Sequence, residues 1–298
     1  MKITVKTIML FFVIIIGCFA SVLFAMEAPL ANPLVTVGMI TALTAAVSFL
    51  FGLFTNDYSW TDRLWSTSPV AYAWIYAAAG GFSTVVTLAA ILVTLWGVRL
   101  TYNFARRDGY TGGEDYRWPI LRTRIGNPVI WQLFNLLFIA VYQQFLFICF
   151  TLPLYVIARE TDPGLSVGVI GAAVLLLTFL VLETIADQQQ FVFQQSKHGH
   201  LPRLEDFEDD YLRGFRTSGL FAISRHPNYL GELGVWWSAY IMGSASTGSA
   251  IHWSIAGPIL LTLLFIGSTI FTEGITREKY VEYETYRKTV WPIFPKLW

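Results

Sequence analysis

Eight apolar stretches separated by short polar segments restrict this chain more than any other feature of its sequence. They run Ile8 to Ala25, Pro33 to Phe54, Trp65 to Ala79, Phe82 to Val98, Asn127 to Ile157, Leu165 to Leu182, Gly219 to Met242 and Ile251 to Thr272. Inside a bilayer the backbone has no water to bond, so only helices or closed barrels satisfy it. Runs near the roughly 20 apolar residues that a spanning helix needs favour the helix. The expected fold is therefore all-α, a polytopic membrane helical bundle of about seven to eight spans. Composition agrees, since 13% of the residues are charged against the roughly 25% of soluble domains.

The stretch from Trp65 to Val98 is too long for one span and short for two. Charge decides between them. Arg99 to Arg124, Lys197 to Arg225 and Arg277 to Lys296 are rich in Lys and Arg, and Lys2 and Lys6 precede the first stretch. The positive-inside rule places all four in the cytoplasm. That requires an even number of crossings before Arg99, hence two short spans turning at Gly80-Gly81, with both termini cytoplasmic. Lys2, Lys6 and the apolar run after them have the look of a signal peptide. No Ala-x-Ala site follows, so a retained first span is expected. The sequence does not separate a bacterial inner membrane from an endoplasmic reticulum membrane.

The formal net charge is zero, which gives no field to attract nucleic acid. Cys18 and Cys149 lie far apart in apolar runs, so neither a disulfide nor a metal site is expected from them. His198, His200 and His252 show no ligand spacing, and no metal is expected. Neither a P-loop nor a Gly-x-Gly-x-x-Gly turn is present.

Polar groups gather at the ends of the apolar runs. Ser224-Arg225-His226-Pro227-Asn228-Tyr229-Leu230-Gly231-Glu232 leads into an apolar run. A helix starting just after Pro227 puts Asn228 and Glu232 on one face, with Arg225 and His226 at its mouth. Glu183 and Asp187 make another i, i+4 pair, continued by Gln190 and Gln194. Like charges at that spacing oppose a helix, so another use is expected for them. Arg99, Asn103, Arg106 and Arg107 form a polar face where the fourth run ends, ahead of a loop carrying Gly112, Gly113, Glu114, Asp115 and Arg117. Glycines, acids and arginines suit a nucleotide: amides and Arg for phosphates, acids for ribose hydroxyls. Each group also reads as an interfacial anchor, with lipid headgroups as counterions. The charged, aromatic tail from Glu273 to Lys296, with Tyr286 and Arg287, either lies at the interface or closes a cytoplasmic pocket.

The set Asp62-x-x-Trp65, Trp96-Gly97-x-Arg99-Leu100, Gly113-Glu114-Asp115-Tyr116-Arg117-Trp118, Glu183-x-x-x-Asp187, Ser224 to Glu232 and Pro292 resembles the steroid 5-alpha-reductase-like membrane family. It is most similar to the branch long labelled a domain of unknown function. The likeness covers about Asp57 to Pro295, so residues 1–56 are expected to be N-terminal spans outside it and 57–298 a reductase-like integral domain. The resemblance implies an enzyme that binds NADPH from the cytoplasmic side and delivers hydride to a polarised carbon–carbon double bond. It implies cofactor contacts from Asn228, Glu232, Glu183 and Asp187, and phosphate contacts from Arg99, Arg106, Arg216 and Arg287. Asn103, Glu114, Asp115, Arg117, Ser224, Arg225, His226, Tyr229 and Tyr286 complete the candidate cofactor set. Trp96 stands where the steroid enzymes keep a substrate-polarising tyrosine. Asp62 and Tyr102 are the candidate polarising groups here.

The expected substrate is a lipophilic enone, sterol-like, polyprenyl or lipid, with membrane lipids as the surrounding partners. A second class is a methyltransferase using S-adenosylmethionine, because isoprenylcysteine carboxyl methyltransferases show a similar Arg-His-Pro-x-Tyr-x-Gly turn. That pattern does not call for Asn228 and Glu232. A third is a lipid-binding or scaffolding protein whose motifs are anchors only.

Overall fold

A computed structural model describes residues 4–25, 32–111, 113–161 and 164–295, with side chains for all of these except 21–25. Lys2, Gly112 and Lys296, named in the expectations above, lie outside the described residues. Among the described residues the structure is all-helical and holds no strand. The helices are α1 (Val5–Ala25), α2 (Pro33–Thr55), α3 (Ser68–Ala79), α4 (Thr84–Ala105), α5 (Arg117–Ile125), α6 (Pro128–Phe134) and α7 (Gln143–Ala158). They continue with α8 (Val167–Lys197), α9 (Glu208–Arg213), α10 (Pro227–Thr247), α11 (Ala256–Lys279) and α12 (Tyr283–Thr289). A π-helical stretch, Asn135–Tyr142, joins α6 to α7 without a break.

Five helical segments are long and apolar enough to cross a membrane: α2, α4, the continuous Pro128–Ala158, α8, and Trp253–Lys279, which includes α11. Of the other three expected segments, α3 and α10 do not meet that measure, and α1 is an apolar helix whose side chains are described only over Val5–Ala20. With 12 residues, α3 reaches about 18 Å at 1.5 Å per residue, short of a hydrocarbon core of about 30 Å.

Several boundaries differ from the apolar runs. Gly219 does not begin a long helix: Gly219–Ala222 is a single 3-10 turn, and α10 starts at Pro227. The polar stretch from Gln188 to Lys197, beyond the apolar run that ends at Leu182, is the end of α8. Likewise α4 runs on to Ala105, so Tyr102 and Asn103 are helical.

Local chemistry sets the helix starts and the tight turn. Asn127 caps α6 by accepting from the amides of Val129 and Ile130 at 2.9 and 3.1 Å, with Pro128 in the first turn. The chain reverses at Gly80-Gly81 as expected, with Gly81 at φ 62° and Phe82 at φ 54°. Only a glycine adopts the first of these without strain, and Phe82 carries the second at a cost.

The chain divides into two compact units, residues 1–170 with 239–260, and residues 171–238 with 261–298. The expected division near residue 56 falls inside the first of them. In that first unit Trp60 packs on Phe11 and Phe51, and the loop residue Tyr58 joins Trp118, Trp131 and Ile139 in a buried cluster. Two glycines allow close helix approach. A Cβ on Gly97 would lie 2.7 Å from the Ser66 carbonyl oxygen, and one on Gly257 only 2.0 Å from that of Cys149.

In the second unit Phe215, Tyr283, Tyr286 and Val290 form a separate buried cluster. There α10 lies against α8 through Gly231 and Gly234, where a Cβ would come within 2.5 Å of Glu183 and 2.1 Å of Phe179.

Because the atom met at Gly257 is backbone rather than a movable side chain, relief requires α7 and α11 to separate. Gly257→Ala is expected to destabilise the protein by about 1–3 kcal/mol, as overpacked cores do. Thermal unfolding in detergent measures it, and a wild-type midpoint for the variant would contradict the packing.

Candidate functional site

The first unit holds a knot between the segment after α2 and the loop before α5. Arg63 is fully buried and donates to Asp57 Oδ2 at 2.7 Å and to the carbonyl of Gly109 at 3.2 Å. Its guanidinium also lies 4.3 Å from the Trp60 ring centroid. Glu114 accepts from the Tyr58 amide at 3.1 Å, and the amide of Asp115 donates to Ser59 Oγ at 2.7 Å. Asp115 also holds Arg117 through its amide and guanidinium, at 2.9 and 2.8 Å. Glu114 and Asp115, expected to meet ribose hydroxyls, thus bind the two loops to each other. The Asp57–Arg63 pair at the centre was not singled out in the sequence, because a separation of six residues marks no helix face.

Asp62 belongs to the same knot and accepts from Trp118 Nε1 at 2.9 Å. Part of Asp62 reaches the surface, yet its carboxyl is crowded by packed atoms, and burial pushes its pKa up to about 6. Arg117 opposes the rise and Asp115 adds to it. Glu114 is pushed up to about 6 by burial as well, with Arg122 opposing. A carboxyl that holds its proton near neutrality suits proton donation. Tyr102, the other candidate polarising group, is 66% exposed at the end of α4. Beside it Asn103 is buried and accepts from Arg106 Nε and Nη2 at 3.0 and 2.7 Å. Arg99 lies one turn earlier on α4, partly buried.

In the second unit the contact made possible by Gly231 and Gly234 brings polar faces together. Glu183 and Asp187 of α8 and Glu232 of α10 are all buried. Asn228 Nδ2 lies 3.4 Å from Asp187 Oδ1, and Glu232 Oε1 accepts from Trp236 Nε1 at 3.1 Å. The structure therefore gathers Glu183, Asp187, Asn228 and Glu232 on one helix pair. Tyr229, next on α10, stacks on His226 with centroids 4.9 Å apart.

Arg225 has a different employment. Its Nε and Nη2 grip the Glu273 carboxylate at 2.7 and 3.0 Å, and its Nη1 donates to the carbonyls of Arg287 and Val290. Four of its five N–H groups are thus engaged inside the fold. His226 Nε2 and Arg287 Nε reach the same carboxylate, each at 3.0 Å. The neighbouring backbone joins in: the amides of Arg225 and His226 donate to Trp291 and Pro292 carbonyls, and Ser224 Oγ donates to that of Ile293.

Tyr286 donates to the Phe221 carbonyl, and burial raises its hydroxyl pKa, keeping it a neutral donor. Arg216 is buried, gives Nη1 to the Gln189 carbonyl at 2.7 Å and covers the Phe207 ring at 4.1 Å. Ser224, Arg225, Arg216 and Tyr286, expected at a cofactor, hold chain segments together in this arrangement. The carboxylate at the centre, Glu273, was noted in the sequence only as part of a charged tail.

Two cavities open in the second unit. One, of about 280 Å³, is lined by Ile266, Ile270, Glu273, Arg277 and Arg287 among others. The second, of about 500 Å³, has Arg213, Thr217, Thr285 and Glu282 in its wall. Among the described residues no three His, Cys, Asp or Glu converge as metal ligands would.

These features are compatible with a multi-pass membrane chain: all-helical among the described residues, with five helices long and apolar enough to cross a membrane. Within that class the chain belongs to the family described as protein of unknown function DUF1295, whose model matches residues 48–290. It is 35% identical over 288 residues to the uncharacterized protein C594.04c of Schizosaccharomyces pombe, covering 89% of this chain and 80% of that one. No solved structure matches the chain.

Two predictions follow from the buried charges. Glu273→Gln leaves Arg225 buried without its counter-charge, and is expected to cost about 3–5 kcal/mol, as breaking a buried pair does. Glu284→Gln, at an exposed partner of Arg287, is expected to cost about 1 kcal/mol or less. Urea unfolding in detergent compares them, and equal losses would refute the distinction. The second prediction concerns pH. The raised Asp62 pKa means that the folded state keeps a proton which the unfolded chain loses above pH 3.8. Stability should therefore fall as pH rises from about 4 to 6. Asp62→Asn should flatten that slope, leaving the part due to Glu114; an unchanged slope would remove Asp62 as its source.

Proposed function

We propose that this protein is an NADPH-dependent reductase that delivers hydride to a polarised carbon–carbon double bond of a lipophilic substrate. The observation that carries the reading is the α8–α10 contact, which buries Glu183, Asp187 and Glu232 beside Asn228. Buried carboxylates are costly unless hydrogen-bonded, and a helix pair needing only adhesion would be apolar there. Hydroxyl and amide donors are what such acceptors suit. These are also the residues on which the resemblance to steroid 5-alpha-reductases rests.

The second unit's residues fit one part of the cofactor better than another. Glu183, Asp187, Asn228 and Glu232 would hold ribose hydroxyls and the carboxamide. Arg225 and Arg216 are committed to the fold, so Arg216 is withdrawn as a phosphate ligand and Arg225 from the cofactor set. Bound NADPH supplies the hydride. The protein's own tasks are to orient, to exclude water, and to place a proton on the carbon that hydride leaves negative. Asp62, in the first unit, is a carboxyl whose pKa burial raises to about 6, and so has the chemistry of a proton donor. With Trp96 fully buried and lacking a hydroxyl, a steroid ketone is not the preferred substrate. Cofactor entry from the cytoplasmic side, with both termini there, follows from the arginine-rich segments.

The test is thermal stability of the purified protein with NADPH or S-adenosylmethionine. At about 100 times its dissociation constant, a ligand stabilises by about 2.7 kcal/mol. NADPH should raise the melting temperature and S-adenosylmethionine should not, and Asn228→Ala or Glu232→Ala should abolish the NADPH effect. A shift with S-adenosylmethionine alone would turn the reading to a methyltransferase, and no shift with either to a protein without a nucleotide.

A further inference from the structure

The cavity of about 280 Å³ beside α11 combines two chemistries. Its apolar part includes Ile266 and Ile270, one turn apart, of which Ile270 is 70% exposed and Ile266 44%. Its polar part carries Arg225, Arg277 and Arg287 beside the carboxylate of Glu273, with Glu284 touching the last two, which leaves one positive charge in excess. These arginines are not equivalent. Arg225 is buried and engaged, as described. Arg277 is about half-exposed and uses only Nε, 2.8 Å from Glu284 Oε2. Arg287 uses Nε on Glu273 and Nη1 on the same Glu284 oxygen. Among the described residues, both terminal nitrogens of Arg277 and Nη2 of Arg287 therefore keep N–H groups without a protein partner. Both residues line one cavity, where the apolar part of a helix able to cross a membrane gives way to charge.

We propose that this cavity binds the phosphate of an anionic membrane phospholipid. Arg277 and Arg287 hold the phosphate oxygens, and an acyl chain runs along Ile270 and Ile266. Guanidinium N–H groups match phosphate oxygens in geometry and charge. The lipid is preferred to free phosphate because the cations adjoin exposed isoleucines, which a free phosphate has no use for. Headgroup phosphates also lie where an apolar helix leaves the hydrocarbon. Excess positive charge at the cavity selects an anionic lipid over a zwitterionic one.

The experiment uses the full chain in neutral detergent, titrated with phosphatidylglycerol or phosphatidylcholine. Bound lipid is counted by native mass spectrometry and stability is followed by thermal shift. Phosphatidylglycerol should be retained selectively, and Arg277→Gln should weaken it about tenfold, the effect of losing roughly 1.4 kcal/mol. The lipid-free melting temperature of that variant should stay near wild type, because its only named partner is exposed Glu284. Ile270→Ser should weaken phosphatidylglycerol and leave any binding of inorganic phosphate unchanged. Equal retention of both lipids, or undiminished phosphatidylglycerol binding by Arg277→Gln, overturns the proposal. So does displacement of phosphatidylglycerol by inorganic phosphate or by NADPH at millimolar concentration, which would assign the cavity to a soluble phosphate.

Discussion

The second unit depends on one buried ion pair. Arg225 and Glu273 are 48 residues apart in sequence and each is less than a tenth exposed. Taking two such charges out of water costs several kcal/mol per ion, and attraction offsets that cost only when the remaining hydrogen-bonding capacity is also met. Here it is met by chain segments rather than by solvent. The Arg287 and Val290 carbonyls take the outer side of the guanidinium, while His226 and Arg287 take the rest of the carboxylate. The polar run before α10 and the segment after α12 are fastened to α11 as a consequence. The backbone bonds from Arg225 and His226 to residues 291 and 292 complete that fastening.

A second constraint acts through glycine. Side chains at 231 or 234 would collide with Glu183 or Phe179, so α10 comes as close to α8 as it does only because both positions lack a Cβ. Closeness then determines the chemistry. At a wider separation Asn228 would not reach Asp187, and water would have access to the carboxylates that are now buried. The same two glycines thus fix both the packing and the low polarity around the acids, which strengthens each remaining hydrogen bond.

What the sequence made legible was governed by local rules. Pro227 marks a helix start because its ring fixes φ and it lacks an N–H, and Asn228 and Glu232 share a face because the helix period places them so. Gly80-Gly81 turns the chain for an equally local reason. The extension of α8 past its apolar run was legible only from the i, i+4 spacing of Glu183, Asp187, Gln190 and Gln194, since polarity alone does not separate an emerging helix from a loop. The partners of Arg225 were hidden for a deeper reason. An arginine beside a histidine and a proline looks the same in sequence whether it awaits a phosphate or has already found a carboxylate from another helix. Glu273 is that carboxylate, and no spacing rule connects positions 225 and 273. Asp57 with Arg63, and Glu114 with the Tyr58 amide, were unreadable for the same cause.

Burial separates the arginines into those that build the fold and those with donors to offer. Arg63, Arg216 and Arg225 are all less than a tenth exposed, and each donates to at least one backbone carbonyl. A fixed guanidinium with carbonyls around it joins segments that lack other means of cohesion, and releasing it to a ligand would unfasten them. Arg277 and Arg287 are held from one side by Glu284 and remain partly open to the cavity. Ligand recognition asks for that second condition: enough support to fix the guanidinium plane, with N–H groups still free to bond. Motif position does not supply it. Arg225 stands in the most suggestive stretch of the sequence and has little to give a ligand, whereas Arg277, in the charged tail, has more.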